Sequence, residues 1–372
     1  MSKAKPKSVD TVLLSLIAIM VAGGFLIFSS ASLGLIARDG ASFSSEAFSQ
    51  FVFGILGGGT ALFLISNIYY RHWRKYAFYI FIFSLLATLA VFIPGIGMSH
   101  GGATRWLDLG ITTVQPSEFL KIGYIVYLAT WLSGMRGKVE DWRYGLLPFV
   151  CITGVVGLIM LMQPDTDTFM IMGFAGMAMF VVAGSTWKDI GIIVVGALLM
   201  LAIIAITRPY IMDRILTFMD PEADPLGSGY QIQQSLIAVG SGGIVGRGFG
   251  QSIQKFEYLP EPTSDSVFAV YAEEFGFVGS FLLVLSIVFI TLRGYKTATQ
   301  AEDIFGTLLV IGFITIIATQ SFLNIAAMLA LAPLSGLPLP FISHGGTALL
   351  ATLASLGIVL NVSKYRTFKK VS

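Results

Sequence analysis

The chain has 372 residues, 55% of them hydrophobic and 12% charged, with 23 basic against 21 acidic side chains and a net charge of +2. Soluble domains carry about 25% charged residues, so this composition excludes a cytosolic enzyme, a nucleic-acid binder held by bulk positive charge and a disordered chain. The single cysteine, Cys151, excludes a disulfide scaffold and reads as a small core residue in an apolar run.

What remains is an all-α polytopic membrane protein. A spanning helix needs about 20 mainly apolar residues. Ten stretches meet that need: 11–36, 47–70, 77–95, 116–134, 146–163, 168–184, 189–207, 277–294, 304–331 and 346–362. The first is too long for a signal-peptide core and is expected to be retained. Basic residues gather on one face, in the N-terminal tail (Lys3, Lys5, Lys7), the 2–3 loop (Arg71, Arg74, Lys75), the 4–5 loop (Arg136, Lys138, Arg143) and the C-terminal tail (Lys364, Arg366, Lys369, Lys370). That asymmetry places both termini in the cytoplasm. The chain reads as one membrane domain, 1–372, with a large outer loop, 208–276, between spans seven and eight. The loop carries two short apolar stretches (Ile211–Phe218, Ile232–Val239) suited to interfacial helices, and is expected to form an ordered cap.

Ionisable residues at membrane depth cost about 2.5–3.5 kcal/mol each on insertion scales, so those retained are candidates for function. Span four opens Gln115-Pro116-Ser117-Glu118-Phe119-Leu120-Lys121. Glu118 and Lys121 share a helix face and can pair, either to orient the helix or to wall an outward polar cavity. Just before lies Gly101-Gly102-Ala103-Thr104-Arg105-Trp106, where glycines permit close backbone approach and Arg105 offers a phosphate-gripping fork. After span five, Gln163-Pro164-Asp165-Thr166-Asp167 brings two carboxylates that either hold a divalent cation through waters or cap the next helix. The long loop ends Tyr258-Leu259-Pro260-Glu261-Pro262-Thr263-Ser264-Asp265-Ser266, with Glu273 and Glu274 about two turns further along, on or near the same face as Asp265. Asp265 is a helix cap or a functional carboxylate on local sequence alone. Before span ten, Gly336-Leu337-Pro338-Leu339-Pro340-Phe341-Ile342-Ser343-His344-Gly345-Gly346 interrupts the helix, which a membrane tolerates only where the backbone lines protein or a water-filled cavity. The glycine-rich GRGFG at 246–250 follows no strand and is not a dinucleotide fingerprint.

Together the motifs GATRWLDLG with QPSEFLKI, QPDTDT, QSIQKFEYLPEPTSDSVFAVYAEEFGFVG and GLPLPFISHGG resemble the SEDS family (shape, elongation, division and sporulation), closer to its division members than to its elongation members. The resemblance runs over nearly the whole chain. It implies a peptidoglycan glycosyltransferase that polymerises lipid II at the outer face of the bacterial cytoplasmic membrane, working with a class B penicillin-binding protein and divisome regulators. It also implies that the essential loop carboxylate is Asp265, the span-four pair Glu118 and Lys121, and the loop arginine Arg105. Gln163, Asp165, Glu261, Ser343 and His344 complete the candidate substrate-binding set. The family pattern His-Thr-Asp-Phe is replaced here by Thr263-Ser264-Asp265-Ser266, and its Ser-Tyr-Gly-Gly by Ser343-His344-Gly345-Gly346.

The chemistry so implied is an inverting glycosyl transfer. Asp265 acts as base, Arg105 and Lys121 stabilise the departing pyrophosphate, Glu118 orients Lys121, and either partial burial under the loop or the acidic neighbours Glu261, Glu273 and Glu274 raise the Asp265 pKa. Mg²⁺ or Mn²⁺ is the expected cation, and neither a nucleotide cofactor nor nucleic acid is expected. Two rivals stand beside it: a lipid II flippase, and an inactive scaffold of the division machinery.

Overall fold

The computed structural model describes residues 8–34, 46–100, 103–108, 110, 113–223, 227, 229–256 and 258–366. The end of the first expected span, Gly101, Gly102 and the tail lysines Lys3, Lys5, Lys7, Lys369 and Lys370 lie outside them. The helices are α1 (Thr11–Ala31), α2 (Glu46–Asn67), α3 (Arg71–Phe92), α4 (Pro116–Gly134), α5 (Leu146–Met162), α6 (Thr166–Val182), α7 (Trp187–Thr207), α8 (Pro209–Met219), α9 (Tyr230–Ser241), α10 (Val267–Thr299), α11 (Ile304–Met328) and α12 (Gly346–Lys364). Among the described residues, seven helices (α1, α2, α3, α7, α10, α11 and α12) are long and apolar enough to cross a membrane, while α5 and α6 are apolar but shorter. The fourth expected span is a helix too, but it carries Glu118 and Lys121.

Burial sorts the bundle into centre and rim. In the most apolar stretch of α11, 72% of residues are buried, and in α12 83%, against 6% in α7. The rim exposes large side chains such as Phe83, Leu158, Ile206 and Phe277, surface that water would penalise and lipid accommodates. The helix pair α2–α12 packs closely through glycines: a Cβ on Gly58 would lie 2.8 Å from Leu353 Cδ1, and one on Gly357 3.0 Å from the Leu62 carbonyl oxygen. Small residues at such crossings let backbones approach where no hydrophobic force drives helices together. At the opposite end from the site described below, the Asp10 carboxylate caps α1 through Leu13 N (3.1 Å) and accepts from Arg293 (2.9 Å) and Arg366 (3.1 Å), fastening α1, α10 and the chain end together.

Three expectations need correction. First, the chain is not purely helical: β1 (Gly97–His100), β2 (Ala103–Asp108) and β3 (Thr113–Val114) form an antiparallel sheet in the order β1-β2-β3, with Met98 opposite Trp106 and Leu107 opposite Val114. Thr, Trp and Val in this stretch favour extended backbone, a signal that the paired glycines obscured. Second, α10 starts at Val267, inside the expected loop, and is broken at Gly276 (φ 62°, ψ −162°). The glycine-rich segment fills the break. Phe277 N and Val278 N donate to Gly243 O and Ile244 O (2.9 and 3.0 Å), while Glu273 O and Glu274 O accept from Arg247 N and Gly248 N (3.0 and 2.9 Å). Two helical hydrogen bonds are thus exchanged for four with the loop, so none of these four α10 groups is stranded. The approach demands glycine: a Cβ on Gly276 would sit 2.3 Å from Gly246 N. Third, Cys151 is exposed on α5 rather than in the core.

The two apolar stretches of the long loop do form helices, α8 and α9. Glu273 and Glu274 do not face Asp265. They are fully buried, Glu273 accepting from Ser252 Oγ (2.6 Å), Ile253 N and Gln254 N, and Glu274 from Ser30 Oγ (2.6 Å) and Lys255 Nζ (2.8 Å). Their work is to knot residues 247–255 against α1 and α10.

Candidate functional site

The site is assembled at one end of the bundle by two irregular segments, the turn 258–266 and the interrupted stretch 336–345. The turn is pinned from below by Leu259, which is fully buried. Glu261 takes a left-handed backbone (φ 48°) and its carbonyl accepts from both Ser264 N and Ser266 N, closing the turn that presents Asp265. Three successive carbonyls of this turn are then clamped. Thr263 O accepts from His344 N (2.7 Å), Ser264 O from Ser343 Oγ (2.6 Å) and Asp265 O from Asn324 Nδ2 (2.8 Å).

The interrupted stretch satisfies its own backbone in the same manner. Gly336 N donates to Asp167 Oδ2 (3.1 Å), Leu337 O accepts from Asn324 Nδ2 (2.8 Å) and Pro338 O from Gln320 Nε2 (2.8 Å). Leu339 N donates to Ser343 Oγ (2.7 Å), and Gln50 bridges Ser343 O and Gly345 N (3.3 and 3.1 Å). Non-helical backbone survives at this depth because side chains from α2, α6 and α11 replace the missing ladder. Gln50 opens a π-helical run, Gln50–Gly57, within α2.

Across this scaffold the Asp265 carboxylate and the Arg105 guanidinium meet. A Cβ placed on Gly336 would lie 3.7 Å from Asp265 Oδ2 and 3.8 Å from Arg105 Nη1, so both groups border one empty position. Arg105 reaches it from β2, donating to the carbonyls of Gln163 (3.3 Å) and Pro164, with Asp165 Oδ1 3.9 Å from Nη1. Burial, reinforced by the charge of Glu261, pushes the Asp265 carboxyl up to about 6, against the pull of Ser264 and Arg214. Arg214 on α8 pairs with Asp167 at 2.8 Å and adds a second cation near the carboxylate.

The Glu118–Lys121 pair (2.8 Å) lies in a lower storey. Lys121 Nζ also donates to Gln320 Oε1 (3.1 Å), and the two charges border a cavity of about 20 Å³ with Gln320, Thr352 and Ser355. Asp265 and Arg105 do not line it. The two storeys connect through α11, where Gln320 and Asn324, one turn apart, hold the successive carbonyls of Pro338 and Leu337.

The remaining candidates divide. Glu261 stands exposed beside Asp265. Asp165 is buried beneath Arg105, its carboxyl raised by that burial. Gln163 turns its amide inward to Thr88 O (2.6 Å), leaving only its carbonyl to Arg105. Ser343 and His344 clamp the turn from behind. The His344 ring stacks on Phe28 (6.0 Å between centroids), burial pushes its pKa down to about 4, and Nδ1 stands 3.9 Å from Glu46. Arg214, Gln320, Asn324, Gln50 and Gly336 were not anticipated as site residues, and Asp167 was anticipated only as a cation ligand or helix cap. Gln320 and Asn324 had a legible signal, two amides at helical spacing in an apolar run.

Among the described residues, no three His, Cys, Asp or Glu side chains converge as a metal cage. Asp167 is engaged by Arg214 and Gly336 N, and Asp165 faces Arg105, so these carboxylates do not fit the expected cation.

Fold and site define a multi-pass helical membrane protein with a carboxylate–guanidinium centre at one end of its bundle. A family model described as cell cycle protein, covering FtsW, RodA and SpoVE, matches residues 10–368, and the chain belongs to that family. It is 38% identical over 311 residues to stage V sporulation protein E of Bacillus subtilis (84% of this chain, 85% of that protein). It is 37% identical over 354 residues to a probable peptidoglycan glycosyltransferase FtsW of Geobacter sulfurreducens (95% and 94%). Among solved structures, a chain of a peptidoglycan synthase complex that coordinates polymerization and crosslinking superposes with a TM-score of 0.77 at 29% identity (95% and 97% covered). The rod shape determining protein RodA of Thermus thermophilus gives 0.69 at 26% identity (97% and 98%).

Proposed function

We propose that this protein is a peptidoglycan glycosyltransferase that polymerises lipid II into glycan strands at the outer face of the bacterial cytoplasmic membrane, in septal wall synthesis. The chain crosses ten times with both termini inside, and the turn carrying Asp265 lies outside. One observation carries the reading: a buried carboxylate and a guanidinium border a single empty position beside Gly336.

Asp265 accepts the proton of the acceptor sugar's 4-hydroxyl as that oxygen attacks the anomeric carbon of the donor. The new glycosidic bond forms with inversion as the bond to undecaprenyl pyrophosphate breaks. The leaving diphosphate carries away the bonding electrons and meets Arg105, with Arg214 in reserve once Asp167 yields it. No step runs through a metal ion. Lys121, held by Glu118 and Gln320, supports the interrupted stretch from below rather than touching the diphosphate. The cavity beside it, about 20 Å³, has room for a water and not for a diphosphate head, which supports a transferase over a flippase. The similarity to a polymerizing and crosslinking complex supports a crosslinking partner, read here as a class B penicillin-binding protein with divisome regulators.

The pH profile tests the base. Because the carboxyl must be ionised to accept a proton and titrates at about 6, kcat for polymerisation by the protein with its partner is expected to fall as pH drops below that value and to plateau above it. A flat profile from pH 5 to pH 8, set about an ordinary carboxylate, contradicts the assignment.

A further inference from the structure

We propose that Asn324 of α11 is a positioning residue for the Asp265 carboxylate, a role that rests on the transferase reading above. Asn324 is fully buried on α11, one turn from the buried Gln320 and Ser321. Its single amide nitrogen donates two hydrogen bonds of 2.8 Å, one to Asp265 O and one to Leu337 O, while Oδ1 has no partner. The side chain is therefore used purely as a double donor. It ties the backbone of the turn residue that bears the carboxylate to the stretch that places Gly336 between that carboxylate and Arg105. A buried amide with an unmet acceptor is costly in a helix core, and packing alone gives no reason to keep one here. His344 N and Ser343 Oγ hold the two preceding carbonyls. Among the described residues Asn324 is the one donor to the carbonyl of Asp265 itself, so its loss frees the carboxylate to swing outward toward solvent.

The test compares Asn324→Leu, which deletes the donors, Asn324→Asp, which keeps the shape and presents acceptors, and Asn324→Gln, which keeps the amide on a longer arm. Asn361→Leu serves as comparator, removing a buried amide that holds Tyr70 N and Ser66 O away from the site. Turnover of the lipid-linked disaccharide substrate is measured with the partner present, together with thermal midpoints. Asn324→Leu and Asn324→Asp are expected to lower kcat by about 10–100-fold, with KM within about twofold. Asn324→Leu is also expected to move the acid limb of kcat down by about half a pH unit or more as the carboxylate regains solvent, whereas the added carboxylate of Asn324→Asp opposes that shift by like-charge repulsion. Asn324→Gln restores part of both. Asn361→Leu lowers the thermal midpoint without moving the limb.

A folded Asn324→Asp with unchanged kcat, or a folded Asn324→Leu with an unmoved limb, overturns the proposal. So does an equal limb shift in Asn361→Leu, or failure of all three Asn324 variants to fold, which would make the residue part of the core. Full activity of Asp265→Asn would sink the base assignment on which the positioning role rests. An inactive Asp265→Asn beside an unaffected Asn324→Asp would sink only the positioning role.

Discussion

Asp265→Asn is expected to cost about 10²–10⁴-fold in glycan polymerisation, the usual contribution of a positioned general base, while leaving the fold intact. The amide is isosteric, and the turn is held by its backbone carbonyls on His344, Ser343 and Asn324 rather than by the carboxylate. The check is synthesis from lipid II by purified protein and partner, read alongside the thermal midpoint. Equal loss of activity and stability would show that the side chain holds the turn. Unchanged synthesis would remove Asp265 from the chemistry.

Lys255→Met is the largest expected effect on stability. Lys255 Nζ donates to Glu274 Oε1 (2.8 Å), Gly250 O (2.9 Å) and Ser30 Oγ (3.1 Å), and both charged side chains are sealed from solvent. Removing one partner strands a buried carboxylate, at a cost of about 3–5 kcal/mol. The substitution should lower the thermal midpoint in detergent and loosen residues 247–255, whose backbone bridges the break at Gly276. Adding Glu274→Gln should recover part of the loss, because the stranded charge disappears with it. An unchanged midpoint in Lys255→Met would mean the knot contributes nothing to the fold.

Helix positions were readable because lipid forces apolar runs of a fixed length, and each expected span falls on a helix. The sheet at 97–114 and the early start of α10 were not. Glu273 and Glu274 looked like loop residues because a pair of carboxylates at that depth is improbable alone, and only the distant Lys255, Arg247 and Ser252 make their burial tolerable. Arg105 stood out in sequence as a rare basic residue on its face, while Asp265 was a helix cap or a functional carboxylate on local sequence and entered the candidate site through the family resemblance. The supporting side chains were not legible, because Asn324 and Gln320 act on backbone carbonyls of a segment whose path no local pattern specifies. The assignment of Lys121 to the same hollow as Asp265 failed for that reason: one turn of α11, from Gln320 to Asn324, separates two storeys that look like one cluster in sequence.

The shared hollow is tested most directly at Gly336. An alanine Cβ there would stand 3.7 Å from Asp265 Oδ2 and 3.8 Å from Arg105 Nη1, ordinary contacts on a backbone outside the left-handed region, so the chain should fold. Gly336→Val then fills the gap with two further methyls. Polymerisation by Gly336→Val is expected to fall by about 100-fold or more at an unchanged thermal midpoint, with Gly336→Ala between it and the parent. Full activity in a folded Gly336→Val protein would show that the reacting sugars never enter the space between carboxylate and guanidinium.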